Sequence, residues 1–190
     1  AQTTGILLPP GNYSLKLTSD GSVSTTVLEV NKDPRIEVAL GDLNEQFELQ
    51  NQIRAKYLET YESVEKMRSI RKQLKDWLER AKGFEKEKKL TAKIESVDKN
   101  LSTIENELVP YKSAGKQPRG IPVGLYFKLK ELMGIVASGD YRPTNSSYEL
   151  LEDLDSRLEV QFSKLETTYK KEVKEIVDLI DEMKIPSIRI

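Results

Sequence analysis

The chain contains no cysteine and no histidine. Without cysteine it can form neither disulfides nor thiolate metal sites, and without histidine it lacks the commonest metal ligand and the usual general base near neutral pH. Nucleophiles activated by histidine are excluded for the same reason. We therefore predict that this chain carries no catalytic residues, no metal site and no cofactor.

An excess of charge of one sign and long apolar runs are missing as well. The 30 Lys and Arg side chains face 31 Asp and Glu side chains, which leaves a net charge of -1. The chain therefore has no net positive charge that would attract nucleic acid or an anionic membrane surface. No apolar segment approaches the ~20 residues that a spanning helix needs. We expect neither nucleic-acid binding nor membrane insertion.

The first part of the chain has the alternation of a β-hairpin. Tyr13, Leu15 and Leu17 alternate with polar residues, which places the apolar side chains on one face of a strand. Residues 19–22, Ser-Asp-Gly-Ser, form a turn in which glycine can adopt positive φ, and a second strand follows. Because a lone hairpin is marginally stable in water, it needs further strands or a helical surface. We interpret residues 1–38 as the end of a β-sandwich domain.

Residues 39–190 have the periodicity of amphipathic helices. A first stripe of apolar side chains at three- and four-residue steps runs from Leu43 to Leu78, and Gly83 is expected to end that helix. A second stripe repeats strictly, four and three residues apart, with Lys and Glu between its members. It consists of Leu90, Ile94, Val97, Leu101, Ile104 and Leu108. The short connection near Gly83 favours an antiparallel pair of helices.

Two further helices are expected toward the end of the chain. One starts at Pro122, and the last is capped by Thr144 or Asn145. A polar loop, residues 112–120, separates the second and third helices. The predicted fold class is mainly α: a four-helix bundle of long antiparallel helices, residues 39–190, preceded by the β-hairpin.

Three short motifs occur in order at the joints between these elements. Pro10-Gly11-Asn12-Tyr13 opens the first strand, Asp33-Pro34-Arg35 follows the second, and Gly139-Asp140-Tyr141-Arg142-Pro143-Thr144 precedes the last helix. Together they resemble the C-terminal region of bacterial BNR-repeat, sortilin-like proteins of the glycosyl hydrolase type. The Ser19-Asp20-Gly21 turn resembles a further element of the family, with Ser19 where the family has valine, and Asn12 stands where the family has threonine.

The resemblance implies a position behind a large β-propeller in a longer protein. The propeller blades carry Ser-x-Asp-x-Gly-x-x-Trp boxes and would hold any glycosidase-like or ligand-binding site, but this chain contains none of those boxes. The hairpin would then be the remnant of an immunoglobulin- or fibronectin-like sandwich. The implied function is that of a non-catalytic C-terminal structural or interaction module. Its partners would be the preceding domains of the same polypeptide, and its location would be extracytoplasmic or secreted.

Two other functions remain open at this point. The chain could contribute carboxylates to a glycosidase-like site that the propeller completes, although the candidate pairs are predicted to lie on solvated helix faces. These pairs are Glu45 with Glu48, Glu105 with Glu107, and Glu152 with Asp153. Alternatively, the strict repeat from Leu90 to Leu108 could pair between chains as a self-associating coiled coil.

Two clusters of polar residues are candidates for contact with a partner. Tyr141, Arg142 and Pro143 form a possible contact loop, because a ring and a guanidinium on a rigid turn suit recognition. The competing interpretation is that this loop only ends one helix and starts the next. A basic cluster on the first helix is predicted to form ion pairs with nearby acidic residues rather than to bind an anion. It consists of Arg68, Arg71, Lys72 and Lys75.

Overall fold

The structure is a computed structural model, and it describes residues 5–109 and 123–185. It is 68% helical, with four long helices preceded by a two-stranded antiparallel hairpin. The predicted mainly α fold class is therefore confirmed. The loop at residues 112–120 and the start of a helix at Pro122 lie outside the described residues.

The hairpin consists of β1 (Gly11–Ser19) and β2 (Ser22–Val30), which pair one to one from Ser19 with Ser22 to Gly11 with Val30. The two turn residues have positive φ, 48° at Asp20 and 79° at Gly21. Such a type I′ turn matches the right-handed twist of the strands it joins, and an Asp-Gly pair is well suited to it. The local sequence thus fixes both the turn and the register.

The first helix, α1 (Leu40–Ala81), is 42 residues long, or roughly 60 Å at 1.5 Å per residue. The spacing of Asp42 and Glu45, three residues apart, predicts an N-cap at Asp42, but the helix begins at Leu40 and Asp42 lies in the first turn. A carboxylate there still interacts favourably with the helix dipole. Gly83 follows the helix with φ of 84°, as predicted for a helix-ending glycine.

The remaining helices are α2 (Glu87–Leu108), α3 (Leu125–Val136), α4 (Asn145–Thr167) and α5 (Lys174–Met183). Between α4 and α5 the helix continues as a π-helical segment, Thr168–Val173. The last predicted helix is therefore one helical run with a wider turn inside it. The hydrophobic periodicity gave no indication of that turn.

The chain forms two compact units. The first contains the described residues up to Ala55 together with Lys130–Leu151, and the second contains Lys56–Leu129 and the residues from Glu152 onward. The predicted domain boundary between residues 38 and 39 stays a prediction, since compactness of contacts does not define a domain boundary.

Each unit has its own buried apolar side chains. In the first unit these come from α1, α3 and the start of α4, and they are Leu43, Leu49, Ile53, Leu132, Val136 and Leu151. In the second unit every member of the strict α2 repeat is buried, from Leu90 to Leu108. They are accompanied by side chains of α3, α4 and α5, among them Leu129, Leu158 and Ile176. Burying these faces stabilises the helices more than their propensities do.

Candidate interaction surface

One face of the hairpin carries apolar side chains that the described residues cover only in part. Residues directly opposite each other in an antiparallel ladder point to the same side of the sheet. The register therefore collects one set of side chains on one side, which we call the apolar face: Tyr13, Leu15, Leu17, Leu28 and Val30. Leu15 is 49% exposed and Leu17 is 70% exposed. Exposed apolar side chains grouped on one side of a sheet can mark an interaction surface.

The opposite side of the sheet is mostly polar. Its side chains are Asn12, Ser14, Lys16, Thr18, Val23, Thr25, Val27 and Glu29. Only Tyr13 and Val30 in the two strands are half-buried, and the Tyr13 hydroxyl donates a 2.6 Å hydrogen bond to the Pro9 carbonyl. The hairpin is thus fastened to its own unit near the base, while most of its length is exposed on both sides.

A cleft of about 220 Å³ lies at the base of the hairpin, within the first unit. Its lining includes Pro10, Val30 and Ile36 together with Asp33 and Asp140. The Arg35 guanidinium and backbone N–H both donate to Asp33, which holds the pKa of that carboxyl below its usual range. A glycosidase needs a general acid whose pKa is raised. Asp33 has the opposite character.

The predicted contact loop is fastened to its surroundings by several hydrogen bonds. The Tyr141 hydroxyl lies 2.7 Å from Ser138 Oγ and 3.0 Å from the Ile135 carbonyl oxygen. Arg142 Nε donates a 2.8 Å hydrogen bond to Glu45 Oε2, and Pro143 is buried. Tyr141 remains 40% exposed, and Arg142 is exposed as well. Recognition by Tyr141, Arg142 and Pro143 stays a prediction.

A residue that the sequence did not single out also holds this loop. Gln46 of α1 is buried, and its Nε2 donates 2.6 Å hydrogen bonds to the carbonyls of Val136 and Gly139. Both acceptors belong to the end of α3 and the turn that follows it. A side-chain amide can satisfy two carbonyls that the helix end leaves free.

The basic cluster forms ion pairs, as predicted, through its two arginines. Arg71 Nε and Nη2 donate to the two carboxylate oxygens of Asp98, at 2.7 and 3.1 Å. Glu105 accepts from Arg68 Nε at 2.8 Å and from Arg71 Nη1 at 2.5 Å. Glu105 is only 1% exposed, so its predicted position on a solvated face is wrong. Its buried charge is tolerated because two guanidiniums neutralise it.

The other proposed carboxylate pairs do not form a buried catalytic arrangement. Glu48, Glu107, Glu152 and Asp153 are exposed. Across the two described ranges, no group of three or more acidic side chains is arranged to hold a metal ion. None of the described helices is long and apolar enough to cross a membrane.

Comparison with known proteins identifies no protein similar to this chain. No protein-family model, no curated protein and no solved structure matches this chain. The functional interpretation therefore depends on the residues and on their arrangement in the fold.

Proposed function

We propose that this chain is a non-catalytic C-terminal structural and interaction module of a larger BNR-repeat propeller protein. The observation that carries the proposal is the exposed apolar face of the hairpin. In this proposal the preceding domains of the same polypeptide cover that face. The larger protein is extracytoplasmic or secreted, in keeping with the family that the sequence motifs resemble.

The free energy of burial favours a partner for the hairpin. Leu15, Leu17 and Leu28 each remain more than one third exposed, and full burial of a leucine side chain contributes about 1.5–3 kcal/mol. A two-stranded hairpin has little stability of its own, because it needs further strands or a packed helix. Covering the apolar face would therefore stabilise both the hairpin and the complex.

The helical parts do not require such a partner. In the second unit, the α2 residues Leu90, Ile94 and Leu101 are between 0% and 2% exposed, so this stripe is already occupied within one chain. Pairing of the same stripe between chains would require the unit to open. Self-association through α2 is for this reason the weaker alternative.

The catalytic alternative is that this chain contributes carboxylates to a glycosidase-like site completed by the propeller, and the cleft lined by Asp33 and Asp140 brings two acidic residues together. Placing two carboxylates at one cleft is the arrangement that a glycosidase site would need. Because Arg35 stabilises Asp33 as an anion, that residue is a poor proton donor. The proton donor would have to be Asp140, which is exposed and so lacks the burial that a general acid needs, and we therefore prefer the non-catalytic function.

An immunoblot of the source cells, with an antibody raised against this chain, tests the proposal. We expect the antibody to detect a polypeptide much larger than the 21.7 kDa of this sequence, in the secreted or extracytoplasmic fraction. Addition of excess purified chain should remove the signal, which controls for specificity. A single species of 21.7 kDa would contradict the proposal.

A further inference from the structure

The two outer edges of the hairpin differ in what they offer to another strand. In a hairpin with a two-residue turn, the residues that flank the turn form a hydrogen-bonded pair, and hydrogen-bonded pairs then alternate with open pairs. Starting from Ser19 and Ser22, the residues of the open pairs point their N–H and C=O groups away from the partner strand. On β2 these residues are Val23, Thr25, Val27 and Glu29, and on β1 they are Asn12, Ser14, Lys16 and Thr18.

The outer edge of β1 carries features that discourage pairing. Lys16 lies at its centre, and Pro9 and Pro10 directly precede the strand. A charged lysine in the middle of an edge and prolines beside it are among the devices by which proteins prevent edge-to-edge association.

The outer edge of β2 has none of these features over most of its length. Val23, Thr25 and Val27 are uncharged and β-branched, and they favour extended backbone. No proline lies within Ser22–Val30, and Glu29 is the strand's one charged residue, close to its end. No third strand pairs with this edge in the part of the chain that the structure describes. An edge that is uncharged over most of its length is suited to accept another strand.

We propose that the outer edge of β2 binds a strand supplied by the domain that precedes this chain, an inference that rests on the proposed function. Backbone hydrogen bonds to the outward groups of Val23, Thr25 and Val27 extend the sheet beyond the hairpin. A second sheet of the same domain packs on the apolar face. The preceding domain is thus a β-sandwich that lacks the strands the hairpin provides.

A second copy of this chain is a poorer occupant than such a domain. Two copies joined through their β2 edges would leave the apolar face of each hairpin uncovered. Two copies packed face to face would cover only about 30 Å by 10 Å per copy, from nine residues at 3.4 Å along each strand and two adjacent strands. The total is roughly 600 Å², whereas stable interfaces bury about 1,200–2,000 Å². A single partner that supplies both a strand and a sheet can pair with the backbone groups of the β2 edge and also bury the apolar face.

The hairpin also constrains the chemistry of the incoming strand. Side chains next to Thr26 and Leu28 lie on the side of the apolar face and should be apolar. The alternate side chains lie beside Thr25 and Val27 and should be polar or β-branched. A basic residue is favoured beside Glu29, since opposite charges on neighbouring strands attract.

Hydrogen exchange measured by mass spectrometry, on this chain alone and on the larger polypeptide, tests the choice of edge. In the larger polypeptide we expect added protection in peptides that cover β2, because its outward amides become hydrogen-bonded, and little added protection in peptides that cover β1. Added protection confined to β1 would overturn the choice of edge and leave the proposed function standing. Added protection in neither strand would overturn the sheet extension.

A pair of proline substitutions provides an independent test through binding of the separately expressed preceding domain. Thr25→Pro removes an outward N–H from the β2 edge, and Ser14→Pro removes one from the β1 edge. Neither change removes a hydrogen bond between β1 and β2, and proline is tolerated where an edge N–H faces solvent. We expect Thr25→Pro to weaken binding by about tenfold or more and Ser14→Pro by about twofold or less.

The reverse order of these effects would place the strand on β1. If the unsubstituted chain binds no preceding domain, the proposed function fails together with this inference. If the chain alone forms a dimer that Thr25→Pro disrupts, the occupant is a second copy and the inference is wrong.

Discussion

The hairpin and helix α2 contain the same kinds of apolar residue, but these side chains are largely exposed in the hairpin and buried in α2. Leu17 of β1 is 70% exposed, whereas Leu101 of α2 is fully buried. Both lie in regular amphipathic patterns, with period two in the strand and alternating steps of three and four in the helix. The periodicity of a pattern therefore predicts which face of a strand or helix is apolar. Whether that face is buried depends on what the rest of the fold packs against it.

The largest effect that we expect is the difference in stability loss between alanine substitutions at these two leucines. Leu101→Ala leaves a cavity in a closed core and should lower the free energy of unfolding by about 2–5 kcal/mol. Leu17→Ala removes a side chain already in water and should change it by no more than about 0.5 kcal/mol. Denaturant unfolding followed by circular dichroism measures both. A loss of more than 2 kcal/mol for Leu17→Ala would mean that the hairpin is already covered in this chain.

A second contrast compares buried and exposed carboxylates on α2. Glu105→Gln keeps the shape of the side chain but removes the charge that neutralises Arg68 and Arg71. We expect a loss of about 1–3 kcal/mol in the free energy of unfolding. The control Glu107→Gln changes an exposed residue two positions away and should alter stability by less than about 0.5 kcal/mol. Equal effects from the two substitutions would show that Glu105 is solvated.

A third contrast concerns two tyrosine hydroxyls of the second unit. The Tyr169 hydroxyl is buried and has no hydrogen-bond partner among the residues that the structure describes, while Tyr61 is 49% exposed. Tyr169→Phe removes an unsatisfied polar group and should raise the free energy of unfolding by about 1 kcal/mol. The ring remains available to the Lys66 ammonium that lies over it. Tyr61→Phe is the control, and destabilisation by Tyr169→Phe would reveal a partner for the hydroxyl.

A further effect of the same residue appears at alkaline pH. Burial raises the pKa of Tyr169 to about 12, above the value of about 10 for an unfolded tyrosine. Between these values the unfolded chain loses its proton first, so stability falls as the pH rises from about 10 to about 12. Tyr169→Phe should lose less stability over this window, as measured by denaturant unfolding at each pH. If the stability of the unsubstituted chain and that of Tyr169→Phe depend on pH in the same way, the Tyr169 hydroxyl is not buried as described.

The sequence predicted those features that depend on local chemistry. The Asp20-Gly21 turn, the end of α1 at Gly83 and the buried stripe from Leu90 to Leu108 all follow from backbone preference or periodicity. Glu105 was missed because its burial depends on two arginines of another helix, which no spacing within α2 reveals. The π-helical segment Thr168–Val173 was missed because its sequence has the composition of an ordinary helix.

The candidate site was predictable only in part. The alternation of Tyr13, Leu15 and Leu17 indicated an apolar face, but their exposure is a property of the folded chain. The anchoring of the loop around Tyr141 by Gln46 could not be predicted, since those residues are far apart in sequence.

The most direct test of the interaction role is calorimetric titration of this chain with the separately expressed domain that precedes it in the larger polypeptide that we propose. We predict tight binding with a negative change in heat capacity, the mark of apolar burial. Leu17→Glu should abolish that binding without unfolding the helices. The account would be contradicted if the folded, unsubstituted chain did not bind. It would also be contradicted if Leu17→Glu bound equally well, because the apolar face of the hairpin would then not be the surface that contacts the preceding domain.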